Sequence, residues 1–276
     1  MTPNARAQRW KSWNSPIYKV REDGVHSVTE FVKAIENLFD AIRQESDRKH
    51  IFRGESQTYS TFLMPKIARN NNNLVPYKNE TNLTQKEVEE IHNFQESKKG
   101  QSFSDDLSDD AVDWIPLAQH YSRPSIYSTR LLDVTRNALI ALYFVCEKDK
   151  HLDGWVYLFP ECSCRPQTKP RGEVKKGDIE QGIPDTYFEL FEPWECSPVY
   201  EKTVHLFVPI KSVRLMTVHK RLHTQSSAFL WWHPISQPPV RTYPILINNE
   251  AKDQIMQKLD KVFNINEETL FPPDED

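Results

Sequence analysis

Nine consecutive apolar residues, "ALIALYFVC" from Ala138 to Cys146, form the longest such run in the chain. It falls far short of the ~20 residues that a helix needs to span a bilayer. Thr135 is available as an N-cap ahead of it, and its apolar side chains lie nearly all round a helix. Such a helix is expected to be buried, so the remaining elements have to supply the layers that cover it.

Those elements divide unevenly along the sequence. "SVTEFVKAIENLFDAIRQ" opens with a capping box, Ser27 and Glu30, and places Val28, Phe31, Val32, Ile35, Leu38, Phe39 and Ile42 on one helical stripe. "HIFRG" reads as a short strand ending in glycine, and "TYSTFLMPKIARNNNN" as a loop and broken helix interrupted by Pro65. Thr84 and Glu87 form a second capping box for a polar helix reaching about Ser97, and "AVDWIPLAQHY" predicts another helix. "STRLLDV" is a candidate strand or extended turn. "GWVYLFP", beginning at Gly154 and stopping at Pro160, is a strand, and "TVHLFVPI", "SAFLWW" and "YPILIN" are three more. The amphipathic "EAKDQIMQKLDKVF" closes the chain's pattern. A helical first half followed by a strand-rich second half favours an α+β architecture over alternating βαβ units. The expected organisation is an N-terminal helical segment, residues 1–48, packed on a core of residues 49–276, with polar insertions near 70–110 and 161–198.

A formal charge of −4 and a pI near 6.2 argue against a large sequence-independent grip on nucleic acid, which needs a basic excess. "MTPNARAQRWKSWNS" has no apolar signal-like region, so a soluble, cytoplasmic protein without a membrane partner is expected. Cys146, Cys162, Cys164 and Cys196 then read as reduced thiols. The C-x-C spacing of Cys162 and Cys164, even with Cys196, His219 and His223, is too weak a pattern for zinc, and no metal is expected.

Three stretches carry polar groups that periodicity does not explain: Arg53-Gly54, the run from Gln119 to Thr135, and the run from Arg221 to Phe229. Each has two readings. Arg53 is either one half of a structural ion pair or a ligand-holding guanidinium, and Gly54 either a turn with positive φ or a point where a ligand approaches the backbone. His120, Arg123, Thr129, Arg130, Asp133 and Thr135 cluster beside a helix start that suits phosphate, yet Asp133 and Thr135 also suit plain capping. His120 is either a core histidine or a site residue, and Gln225 either a strand-end amide or a catalytic group.

Taken in order, "FRG" at Phe52 to Gly54, "LMPKIAR" at Leu63 to Arg69, "LAQHY…P…TRLLDVTRNALIALYFVC" from Leu117 to Cys146, "RLHTQSSAFL" at Arg221 to Leu230 and the C-terminal "EETLFPPDED" resemble the FRG domain, a bacterial and phage family. The chain departs from that pattern where "SIYS" is inserted between Pro124 and Thr129, and where Ser122 and Ser227 replace common glycines. The family's layout looks like that of ADP-ribosyltransferases, which implies a mixed, mainly antiparallel sheet and NAD as the substrate. On that resemblance Arg53 and Gly54 lie on a first strand and Thr129 and Arg130 near a second, as NAD-binding residues. Gln225 lies on a third strand, and His120, Asp133 and Gln225 are the candidate catalytic residues.

The implied reaction breaks the nicotinamide–ribose bond through an oxocarbenium-like transition state, which a carboxylate normally stabilises. An amide at Gln225 can hold a ribose hydroxyl but supplies no charge, so either Asp133 supplies the carboxylate, or the substrate supplies its own nucleophile, or the site binds NAD without turning it over quickly. The expected function is transfer of ADP-ribose to a protein or nucleic acid by a toxin or phage-defence effector, with an antitoxin or inhibitor protein as a possible partner. The alternative is a nucleotide- or nucleic-acid-binding module without catalysis, using Trp231, Trp232 and "KPRGEVKKG".

Overall fold

The structure, a computed structural model, describes residues 23–42, 50–59, 63, 89–102, 117–119, 129, 131–160, 206–208, 220–231 and 242–272. In chain order the elements are α1 (Val28–Ile42), β1 (His50–Glu55), α2 (Lys98–Gln101), β2 (Leu131–Thr135), α3 (Ala138–Cys146), β3 (Gly154–Pro160), β4 (Leu206–Val208), α4 (Lys220–Thr224), β5 (Ser227–Trp231), β6 (Tyr243–Ile247), a 3-10 turn (Asn249–Ala251), α5 (Lys252–Phe263) and α6 (Glu267–Leu270). Residues 89–96 are helical as well. The fold is α+β, with antiparallel strand pairs. It divides into two compact units, one of Met1–Tyr59, Val134–Ser163 and Pro239–Pro272, the other of Ser60–Asp133, Cys164–Pro238 and Pro273–Asp276.

In the first unit β1 pairs along its whole length with β3, from His50 opposite Pro160 to Glu55 opposite Trp155, and Phe52 stands opposite Thr135 of β2. β3 pairs in turn with β6, from Gly154 opposite Ile247 to Leu158 opposite Tyr243. Ahead of α1, Val25 makes a parallel bridge to Ile247. Side chains alternate across a pleated strand, so Phe52, Val156, Leu158, Tyr243, Ile245 and Ile247 share one face. That face forms the core with α1, α3 and α5.

The apolar run is buried as its composition requires. Ile140, Ala141, Leu142, Tyr143, Val145 and Cys146 of α3 are all buried, with β1 and β3 on one side and α5 on another. Its cap differs from the expectation. Thr135 is still extended in β2, and Asn137 is the N-cap, its side-chain oxygen accepting the Leu139 N–H at 2.9 Å. Thr135 acts one step earlier, its hydroxyl oxygen accepting the Asn137 N–H at 3.1 Å. Asn137→Ala is therefore expected to cost about 1 kcal/mol in a urea melt, with Asn137→Ser close to the parent.

The first capping box forms with a shifted return arm. Ser27 Oγ accepts the Glu30 N–H at 3.1 Å, while the Glu30 carboxylate accepts the N–H of His26 rather than that of Ser27. Val28, Phe31, Ile35 and Leu38 are buried and Phe39 is partly buried, whereas Val32 stays 39% exposed. The buried stripe is thus narrower than the predicted one, since Val32 falls on its flank. The Ile42 side chain, Thr84, Glu87, the "AVDWIPLAQHY" helix apart from residues 117–119, and the 161–198 insertion lie outside the described residues.

In the second unit residues 89–96 bury Ile91 and Phe94. β4 pairs with β5, Leu206 opposite Trp231 and Val208 opposite Phe229. No helix among the described residues is long and apolar enough to cross a membrane.

Candidate functional site

β1 carries the first of the singled-out stretches, and its pleat assigns each residue of Phe52-Arg53-Gly54-Glu55 to a face. Phe52 and Gly54 face the core side. Arg53 and Glu55 share the other face, where Arg53 Nε donates to Glu55 Oε1 at 3.2 Å. The two partners are unequally covered: 16% of the Arg53 side chain is exposed but only 1% of that of Glu55. Across the ladder Tyr157 stands opposite Arg53 and Trp155 opposite Glu55, their rings stacked with centroids 6.4 Å apart. Burial and then the charge of Glu55 push the Tyr157 phenol well above its usual range, so it is neutral at physiological pH. The Trp155 indole N–H donates to Thr58 Oγ1 at 2.9 Å, tying the aromatic pair to the segment leaving β1.

Gly54 is not in a turn of positive φ, as one sequence reading had it; it lies within β1 and is absent from the residues with positive φ. A Cβ there would stand 2.1 Å from the backbone carbonyl oxygen of Ala141. The close approach that demands glycine is that of α3.

Beyond β1 the chain is held by a buried polar knot that sequence reading did not identify. The Lys252 ammonium, at the start of α5, donates to the carbonyls of Ser56 at 2.7 Å and Asp149 at 3.1 Å. Ser56 Oγ donates to the Asp149 carboxylate at 2.6 Å, and Gln57 Nε2 reaches the same oxygen at 3.3 Å. Lys252 is fully buried, and desolvation holds its pKa below the usual value for lysine. A lysine in an amphipathic helix pattern reads as surface, and nothing local separates Lys252 from Lys258 and Lys261 of the same helix.

In the second unit Gln119, Thr129 and Asp133 form a chain of hydrogen bonds. The Thr129 hydroxyl donates to Gln119 Oε1 at 2.7 Å, and Gln119 Nε2 donates to Asp133 Oδ2 at 2.7 Å. Thr129 also accepts the Leu131 N–H at 3.1 Å and is completely buried. A hydroxyl has one proton to give, so Thr129 spends it on Gln119 and shapes the entry to β2. Asp133 is exposed on β2 with its carboxylate oriented by the amide. Gln119, inside a stretch singled out from sequence but given no role there, is the residue that links the other two.

Gln225 is buried, but it lies in the turn before β5 rather than on a strand. Its N–H donates to Arg221 O at 2.9 Å, and Ser226 follows with φ 46 before β5 begins at Ser227. Ser227, which replaces a common glycine, is the first residue of β5, and the positive φ falls on Ser226. His120, Arg130, Cys162, Cys164, Cys196, His219, Trp232 and the lysine-rich 169–177 stretch lie outside the described residues, as does the Trp231 side chain. Cys146 is buried in α3, its thiol pushed up to about 12 chiefly by desolvation. No cluster of potential metal ligands occurs among the described residues.

Residues 48–154 match the family model of the FRG domain. By that match this stretch is similar to the FRG domain. The match spans β1, β2 and α3 and ends as β3 begins, so the Phe-Arg-Gly segment and the Gln119-to-Cys146 run fall within it. "RLHTQSSAFL" and the C-terminal "EETLFPPDED" lie beyond it. No curated protein and no solved structure gives a significant match. Read on β1, the Phe-Arg-Gly segment of this chain alternates: Phe52 and Gly54 lie on the core side, Gly54 against α3, and Arg53 belongs to the opposite, charged face.

Proposed function

We propose that this protein is an NAD-dependent ADP-ribosyltransferase-like enzyme that transfers ADP-ribose to a protein or nucleic acid, as a toxin or phage-defence effector does. The observation that carries the reading is the Arg53–Glu55 pair on β1. A largely buried ion pair adds little or nothing to stability compared with apolar residues of the same size. Its presence on the strand that carries Phe-Arg-Gly is better explained by work on a ligand. A guanidinium matches the oxygens of a pyrophosphate at charge-assisted strength. Within the second unit, Asp133 offers an exposed carboxylate held by Gln119, the group that Gln225 as an amide does not provide. His120 and Arg130 enter this proposal from the resemblance alone.

The chemistry asked of the chain is cleavage of the nicotinamide–ribose bond with release of nicotinamide and attack of an acceptor nucleophile on the ribose carbon. Full-length protein incubated with NAD and cell extract is expected to release nicotinamide and to label a macromolecule. Asp133→Asn is expected to lower the rate of release by about a hundredfold or more while leaving NAD binding in place. Absence of both nicotinamide release and calorimetric NAD binding overturns the proposal. Binding without release replaces it with a nucleotide-binding module.

A further inference from the structure

We propose that Glu55 is a positioning residue for Arg53, holding the guanidinium in one orientation for a pyrophosphate-bearing nucleotide; this rests on the nucleotide-binding reading above. The two side chains lie two residues apart on one face of β1, close enough for the Arg53 Nε–H to reach Glu55 Oε1 at 3.2 Å. Binding through Nε fixes rotation about the end of the arginine side chain and so sets the direction of the Nη edge, the edge that makes bidentate contacts to oxyanions. The unequal burial assigns the roles. With 1% of its side chain exposed, Glu55 is covered and cannot itself meet a ligand, whereas Arg53 keeps 16%.

The platform beneath the pair is stiff for reasons independent of it. Gly54, between the two residues, has the Ala141 carbonyl against its other face, and Ser56, immediately after Glu55, is tied to Lys252 and Asp149. β1 is therefore unable to shift so as to re-aim Arg53. A carboxylate partner weakens the attraction of the guanidinium for an anion, and that cost is reasonable only if orientation matters more than raw charge.

The test compares Glu55→Gln with Glu55→Ala in the full chain. Glutamine keeps an acceptor oxygen in place and removes the charge; alanine removes both. With NAD as probe, calorimetry is expected to show Glu55→Gln within about threefold of the parent Kd and Glu55→Ala weaker by about tenfold or more. In 15N-labelled protein the Arg53 Nε–H resonance is expected to be protected from exchange in the parent and in Glu55→Gln, and lost in Glu55→Ala. Equal weakening in both variants, in step with their melting temperatures, overturns the inference in favour of a purely structural pair. So does an Arg53 Nε–H equally protected in Glu55→Ala. A parent protein that shows the protected resonance but does not bind NAD overturns the nucleotide-binding reading and, with it, the ligand assigned to this pair.

Discussion

Gly54→Ala is expected to destabilise the first unit by about 3 kcal/mol, near the upper end of what overpacking costs. The added Cβ would stand 2.1 Å from the Ala141 carbonyl oxygen and 3.1 Å from Val145 Cγ2. The nearest obstacle is helix backbone, not the tip of a flexible side chain, so relief requires α3 to move off the sheet as a body. α3 is also the helix whose apolar side chains are enclosed by β1, β3 and α5, so a displacement opens the core. By the usual scaling a loss of this size lowers the melting temperature by roughly 5–10 °C. Differential scanning calorimetry reads it directly. A variant that melts with the parent but has lost ligand binding would instead assign the glycine to ligand approach.

Lys252→Met is expected to cost about 2–4 kcal/mol, because it keeps the aliphatic bulk but removes the donor from the carbonyls of Ser56 and Asp149. Lys252→Gln, which retains a donor at the end of a shorter chain, is expected to recover part of the loss. The same variant carries a pH signature. The folded pKa of Lys252 lies below its ordinary 10.5. Between that lowered value and 10.5 the unfolded chain holds a proton that the folded chain has released, so stability contributed by this group rises with pH across that window. Cys146 works in the opposite sense. Its thiol is raised from 9.0 to about 12, so above pH 9 the unfolded chain ionises first and stability falls. Just below pH 10.5 both groups contribute, the lysine raising and the cysteine lowering stability as pH rises, so urea melts there are expected to show stability falling more steeply with pH in Lys252→Met than in the parent.

The legible parts of the fold are those in which one local signal agrees with burial. "GWVYLFP" is β3 from its first residue to its last, "HIFRG" is β1 without its final glutamate, and the all-apolar run is α3, buried in the core. The misread details sit where two local signals compete. Thr135 and Asn137 can each cap a helix, and the choice falls on Asn137 because the ladder keeps Thr135 extended opposite Phe52. Val32 is apolar and adjacent to the stripe, yet it remains partly exposed because the stripe of α1 that reaches the core is only as wide as Val28, Phe31, Ile35 and Leu38. Gln225 follows a short helix, and the left-handed turn at Ser226 keeps it off β5.

In the candidate site the divide is the same. The residue types at Arg53, Thr129, Asp133 and Gln225 were visible, and so was their order along the chain, because composition and spacing are properties of the sequence. Period two from Arg53 even points to Glu55, an acidic residue two positions along a strand. The pair itself follows from the pleat of β1, whereas the identity of Tyr157 and Trp155 across from it depends on the register between β1 and β3, and the covering of Glu55 on the packed structure. Register joins residues about a hundred positions apart, and no local pattern encodes which of them will meet. Lys252 shows the same limit most plainly. Its helix was readable, but the carbonyls of Ser56 and Asp149 that receive its ammonium come from the exit of β1 and the turn after α3, and only the folded chain brings them to one point.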